Sequence, residues 1–190
     1  DSDIKFRVQS LKMNAGIGTH IDAPAHVVQG GNTVDKLSIE DLLSPCICID
    51  VSRKADANFK LSVEDILEFE KKHGLISEKS FVIIYTGWDK YWSQLERYHN
   101  NYQFPTISES AVVLLLERNI TGIGIDTLSP DLPSTDFPVH KHILEAGKYI
   151  IENVAHADLL PPISSFILVA PLKGENLTES PVRLIGFTEK

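Results

Sequence analysis

Phe81-Val82-Ile83-Ile84-Tyr85 is an uninterrupted apolar run, the pattern of a strand covered on both faces. Phe166-Ile167-Leu168-Val169-Ala170 repeats it, so the sheet is expected to be central. Weaker strand signals lie at Cys46 to Val51, Gly122 to Ile125, Lys148 to Ile151 and Val182 to Phe187. Alternation in Ile4-Lys5-Phe6-Arg7-Val8 predicts a further, half-buried strand. Between these runs lie helix starts: Ser38 before Asp41, Ser62 before Asp65, and Ser108 before Ala111-Val112 and Leu115-Leu116. Gly74 and Gly147 are the expected stops. Strands interleaved with helices indicate an α/β domain, with more strand and loop in the N-terminal third than a regular doubly wound fold has. No repeat or low-complexity linker marks a boundary, so residues 1–190 are expected to form one domain.

The 190 residues carry a formal charge of −8, with no lysine or arginine cluster, which is the wrong potential for a phosphate backbone or an anionic membrane. Apolar runs such as Ala111 to Leu116 fall far short of the roughly 20 residues that span a bilayer. A soluble protein is expected, with neither nucleic acid nor membrane as partner. No basic segment followed by an apolar one opens the chain at Asp1, so a cytoplasmic location is expected. Cys46 and Cys48, two apart in an apolar stretch, read as packed core thiols on one strand face.

The densest polar cluster is Gly16-Ile17-Gly18-Thr19-His20-Ile21-Asp22-Ala23-Pro24-Ala25-His26. On an extended segment His20 and Asp22 share a face, and Pro24 breaks the extension so that His26 can turn back toward the same space. Imidazole plus carboxylate suits zinc, manganese or iron(II), although such groups in a loop are more often hydrogen-bonded residues than ligands. A second cluster joins His140 to Glu152, which ends the apolar run Tyr149-Ile150-Ile151, a usual place for a site residue in an α/β sheet.

The pattern Gly-Thr-His-x-Asp-x-Pro-x-His, here Gly18 to His26, strongly resembles the signature of the cyclase-like hydrolases, which include bacterial kynurenine formamidase and isatin hydrolase. The resemblance extends to Thr86-Gly87-Trp88, to Gly124 through Ser129, to His140 with Glu152-Asn153, and to Ser180-Pro181-Val182-Arg183. It implies a swivelling β/β/α fold and a homodimer or homotetramer. It also implies a divalent-metal site, zinc or manganese, with one or two ions per chain. Residue by residue, His20, Asp22, His140 and Glu152 match metal ligands, Asp22 being the one able to bridge two ions. His26 matches the proton-transferring histidine. Gly16 departs from the pattern, because relatives usually carry a first histidine ligand there, and fewer residues precede the signature than in relatives. If the segment is extended, residue 16 should face the ion with Gly18, His20 and Asp22.

Trp88 is a candidate aromatic wall for a planar substrate, although aromatics after a buried strand also pack cores. Asp126 reads equally as a site organiser or a structural cap, and His142 as a surface or supporting residue. The expected activity is hydrolysis of an amide, either an N-formyl aryl amine or a cyclic aryl amide. A divalent cation would activate water, with His26 as proton acceptor and donor. The rival reading is a non-catalytic metal- or metabolite-binding protein that kept the fold without a ligand at Gly16.

Overall fold

In the computed structural model, which describes residues 6–189, the run at Phe81 to Tyr85 is indeed an inner strand. In chain order the strands are β1 (His20–Asp22), β2 (Leu43–Asp50), β3 (Lys60–Leu61), β4 (Phe81–Tyr85), β5 (Thr106–Ile107), β6 (Gly122–Ile125), β7 (Tyr149–Glu152), β8 (Ser165–Pro171) and β9 (Glu179–Thr188). The helices are α1 (Ile39–Leu42), α2 (Val63–His73), α3 (Leu95–His99), α4 (Glu109–Glu117) and α5 (Pro138–Glu145). The strands β2, β4, β6 and β7 pair in parallel, and the antiparallel strands β8, β9 and β1 close them into a barrel. β3 and β5 form a separate parallel pair.

Strand alternation divides the apolar residues into two cores. Phe81 and Ile83 of β4 join Ile21, Cys46, Cys48, Tyr149, Ile151 and Ile167 inside the barrel. Val82 and Ile84 point the other way and pack with Ile66 of α2, Leu115 of α4 and Ile143 of α5. The parallel strands are therefore apolar on both faces, which is why they read as unbroken hydrophobic runs. Both cysteines are buried and unpaired, and burial pushes each thiol up to about 12, as expected of packed core residues.

The helix starts are placed as read. Ser38, Ser62 and Ser108 each accept a hydrogen bond from a first-turn amide, and Ser62 forms a full capping box with Asp65. Gly74 ends α2 at φ 93°, a conformation that favours glycine. The strand expected over Ile4 to Val8 is a correction: Ile4 and Lys5 lie outside the described residues, while Phe6, Arg7 and Val8 are exposed and irregular. The barrel closes on itself through β1 and β9, and no strand among the described residues pairs with Phe6 to Val8. No helix among the described residues is long and apolar enough to cross a membrane.

Candidate metal centre

The short strand β1 lies between β7 and β9, antiparallel to both, and this position assembles the polar cluster. Ile21 points into the barrel core, so its neighbours His20 and Asp22 face outward. The register sets His20 opposite Glu152 of β7 and Asp22 opposite Glu179 of β9. Helix α5 brings His140 to the same face. His20, Asp22, His140 and Glu152 are all buried, as befits a centre closed off from bulk water.

Both histidines are oriented from behind. His20 donates from Nδ1 to the Gly18 carbonyl at 2.8 Å, leaving Nε2 3.6 Å from Asp22 Oδ1 and 3.4 Å from Glu152 Oε2. His140 donates from Nδ1 to Asp131 Oδ2 at 2.8 Å, leaving Nε2 3.6 Å from Asp22 Oδ2 and 3.3 Å from Glu152 Oε1. An Nδ1–H engaged by a carbonyl or carboxylate, with Nε2 turned inward, is the arrangement that holds an imidazole for a metal. The Gly18 carbonyl is itself fixed by Asn153 Nδ2 at 3.1 Å, and the Thr19 hydroxyl donates to the Asn153 carbonyl at 2.7 Å. The Tyr98 hydroxyl lies 2.9 Å from Asn153 Oδ1 and 3.0 Å from the Asp126 carbonyl, sharing its proton between them.

The donor set fits a divalent cation. Ligand atoms of Asp22, His140 and Glu152 lie within 4.8 Å of one another, as do those of His20, Asp22 and Glu179. Asp22 Oδ1 is buried without a hydrogen-bond partner among the described residues, a costly state that a coordinated cation relieves. Burial raises the Glu152 carboxyl and disfavours charge on His140. Hydrogen bonds to Asp131, Asp22 and Glu152 outweigh that burial and push His140 up to about 11. The pocket thus demands positive charge, as a cluster of buried carboxylates must.

His26 follows the Pro24 break in a 3₁₀ turn and stands at the edge of this centre, its ring 6.3 Å from that of His140. It lines a cavity of about 270 Å³ with Val27, Asp136, Phe137, His140 and Lys141. Trp88, the candidate aromatic wall, is buried and is not among the residues lining that cavity. Its indole is buried against Tyr98 and Phe104 and donates from Nε1 to the Tyr98 carbonyl at 2.9 Å. The aromatic at the cavity is Phe137, half-exposed and edge-on to His140 at 5.7 Å. Asp136 and Phe137 both have positive φ, 59° and 54°, a strained conformation for such side chains that often marks a functional segment. Pro138 at the first turn of α5 is the local signal that could have placed Phe137 one turn before His140.

Asp126 proves structural in its contacts, binding the amides of Thr86 and Trp88 and the Thr86 hydroxyl. His142 pairs with Glu109 on the exposed side of α5. Gly16 sits at a bend, with Gly18 at φ 63°, so the extended alternation expected there fails. The position nonetheless abuts the centre: a Cβ on Gly16 would lie 3.3 Å from His20 Nε2 and overlap Glu179 Oε1.

The Cyclase family model, described as "Putative cyclase", matches residues 2–132. The chain belongs to the cyclase family. Among cyclase-family relatives, a kynurenine formamidase from Bacillus cereus is 30% identical, over 94% of this chain and 78% of its own. The structure of isatin hydrolase A from Labrenzia aggregata superimposes with a TM-score of 0.85 at 31% identity, covering 92% of this chain and 74% of that one. A structure described as a "Potential Metal-Dependent Hydrolase With Cyclase Activity" gives a TM-score of 0.78 at 31% identity, over 94% and 82% of the two chains.

Two residues of this cyclase-family centre escape a local reading of the sequence. Glu179 reaches it only through the pairing of β9 with β1. Asp131 reaches it from the loop before α5, where it also accepts the Val139 and His140 amides at 3.1 and 3.0 Å and so caps the helix. Asp131→Ala is expected to weaken divalent-ion affinity by about 10- to 100-fold, since the ring of His140 loses the group that holds it. Equilibrium dialysis against zinc or manganese measures this, and unchanged affinity would show that His140 needs no such support.

Proposed function

We propose that this protein is a divalent-metal-dependent amidohydrolase. The observation that carries this is the convergence of His20, Asp22, His140 and Glu152 on one buried face, where Asp22 Oδ1, on the His20 side, lacks a hydrogen-bond partner among the described residues. In this reading those four residues supply ligands for one or two ions, zinc or manganese by the nitrogen and oxygen character of the set. When bound, such a cation supplies Lewis-acid polarisation of a carbonyl and makes water a stronger acid.

The remaining work falls to the chain. His26, on the cavity wall and partly exposed, accepts the proton of the attacking water and returns it to the departing nitrogen. Phe137 offers an apolar face beside His140 for an aryl group, while the closed centre behind it excludes bulk water. The substrate class this favours is an aryl amide, N-formylated or cyclic. Support comes from the cyclase-family relatives, a kynurenine formamidase and an isatin hydrolase, together with the aromatic at the cavity.

A panel of N-formyl aryl amines, cyclic aryl amides and lactones, run with zinc- and manganese-loaded protein, tests the proposal. Turnover of an aryl amide that stops on chelation is the expected result. Metal binding without turnover of any member would favour the non-catalytic binding protein instead. His26→Ala is expected to lower kcat by about 10²- to 10⁴-fold while metal content stays at the wild-type level. Elemental analysis beside the rate assay separates the two quantities, and lost metal in this variant would make His26 a ligand.

A further inference from the structure

We propose that Glu179 is a metal ligand, completing a second cation subsite with His20 and Asp22 in the space left open by Gly16. The proposal rests on the metal-dependent reading above and adds to it a residue that lies outside the signature.

Three independent features place Glu179 there. First, β9 pairs with β1 so that Glu179 stands directly across from Asp22, on the outward face of both strands. Its ligand oxygen, one from Asp22 and one nitrogen of His20 lie within 4.8 Å of one another. Second, Asp22 divides its carboxylate: Oδ2 faces His140 while Oδ1 faces His20. Oδ1 is the oxygen buried with no hydrogen-bond partner among the described residues, so an unsatisfied acceptor faces the His20 side of the centre rather than the His140 side. Third, the space beside His20 Nε2 that a side chain at residue 16 would enter is filled by the Glu179 carboxylate, because a Cβ there would overlap its Oε1. Glycine at 16 is what lets Glu179 approach.

The chemistry of the subsite follows from its donors. One imidazole, one bridging carboxylate and a carboxylate that is about a quarter exposed make a harder, more anionic set than an imidazole pair would. Such a set favours manganese, magnesium or zinc over softer ions and leaves positions for water or substrate oxygen. The second oxygen of Glu179, Oε2, lies 3.6 Å from His26 Nδ1, so the same side chain links the subsite to the proposed proton carrier.

Ion counting on the full chain tests this. Protein stripped with chelator is dialysed against manganese or zinc, and bound metal is measured by elemental analysis, with thermal unfolding followed with and without the ion. Wild type is expected to hold about two ions per chain and Glu179→Ala about one, retained by Asp22, His140 and Glu152. Glu179→Gln, which keeps the shape but not the charge, should fall with Glu179→Ala. Adding Gly16→His to Glu179→Ala should restore the second ion, because an imidazole then enters the vacated space. Gly16→His alone should not raise the count, since it collides with the carboxylate.

Glu179→Ala that matches wild type in ion count and affinity overturns the proposal. So does a loss of hydrolysis with ion content intact, which would assign Glu179 to His26 alone. Wild type holding a single ion that Glu179→Ala binds as tightly overturns the subsite while leaving the metal-dependent reading in place. Wild type holding none overturns both.

Discussion

Asp22→Ala is expected to empty the centre, leaving roughly a tenth or less of the wild-type metal and lowering aryl-amide hydrolysis by about 10³- to 10⁴-fold. Asp22 is the one residue common to both groups of candidate ligands, with one oxygen turned to His20 and the other to His140. Its removal leaves two imidazoles and Glu152 with no group between them. The same substitution removes a buried oxygen that has no hydrogen-bond partner among the described residues, so the metal-free variant should unfold no more easily than metal-free wild type. Elemental analysis, the rate assay and thermal unfolding after chelation check the three parts. The contrast with His26→Ala matters most: equal metal loss in both variants would mean that the two roles are misassigned.

Asp126→Ala is expected to destabilise the fold by about 3–5 kcal/mol without touching a candidate ligand. Asp126 is fully buried after β6, and it satisfies the Thr86 amide at 2.9 Å, the Thr86 hydroxyl at 2.7 Å and the Trp88 amide at 2.8 Å. Alanine strands all these donors in the interior, at about 1–3 kcal/mol for each one left unsatisfied. Urea unfolding followed by tryptophan fluorescence reads the change, since the 86–89 turn that Asp126 holds carries Trp88.

The same residue gives a pH signature. Burial, only partly offset by hydrogen bonds from Thr86 and Trp88, pushes its carboxyl up to about 6 from an ordinary 3.8. Between those values the folded protein keeps a proton that the unfolded chain has released. This group therefore lowers stability as pH rises through that window and adds no further slope above it. Asp126→Asn should remove that contribution, so the difference in unfolding free energy between wild type and variant should change between about pH 4 and 6 and level off above. A difference constant across that range would show that Asp126 ionises normally in the folded state.

Much of the fold was legible because its signals are local. The β4 run reads as doubly buried since Phe81 and Ile83 meet the barrel core while Val82 and Ile84 meet helices. Ser62 and Asp65 announce a helix start within four residues, since capping is a contact between near neighbours. His20, Ile21 and Asp22 could be assigned to opposite faces from strand alternation alone, and Glu152 from its place at the end of an apolar strand. Local patterning also misled. The alternation at Phe6 to Val8 pairs with no strand among the described residues and stays exposed.

The α/β class and most of the barrel strands were thus legible from periodicity, and His20, Asp22, His140 and Glu152 could be named as candidate ligands from short local patterns and the family resemblance they carry. That Glu179 stands opposite Asp22, that Asp131 holds His140 and that Phe137 lines the cavity became visible in the folded chain alone. These facts depend on strand register across the barrel closure and on how a loop meets a helix. Such pairings join residues far apart in the chain, and they are selected by the packing free energy of the whole barrel rather than by any local preference.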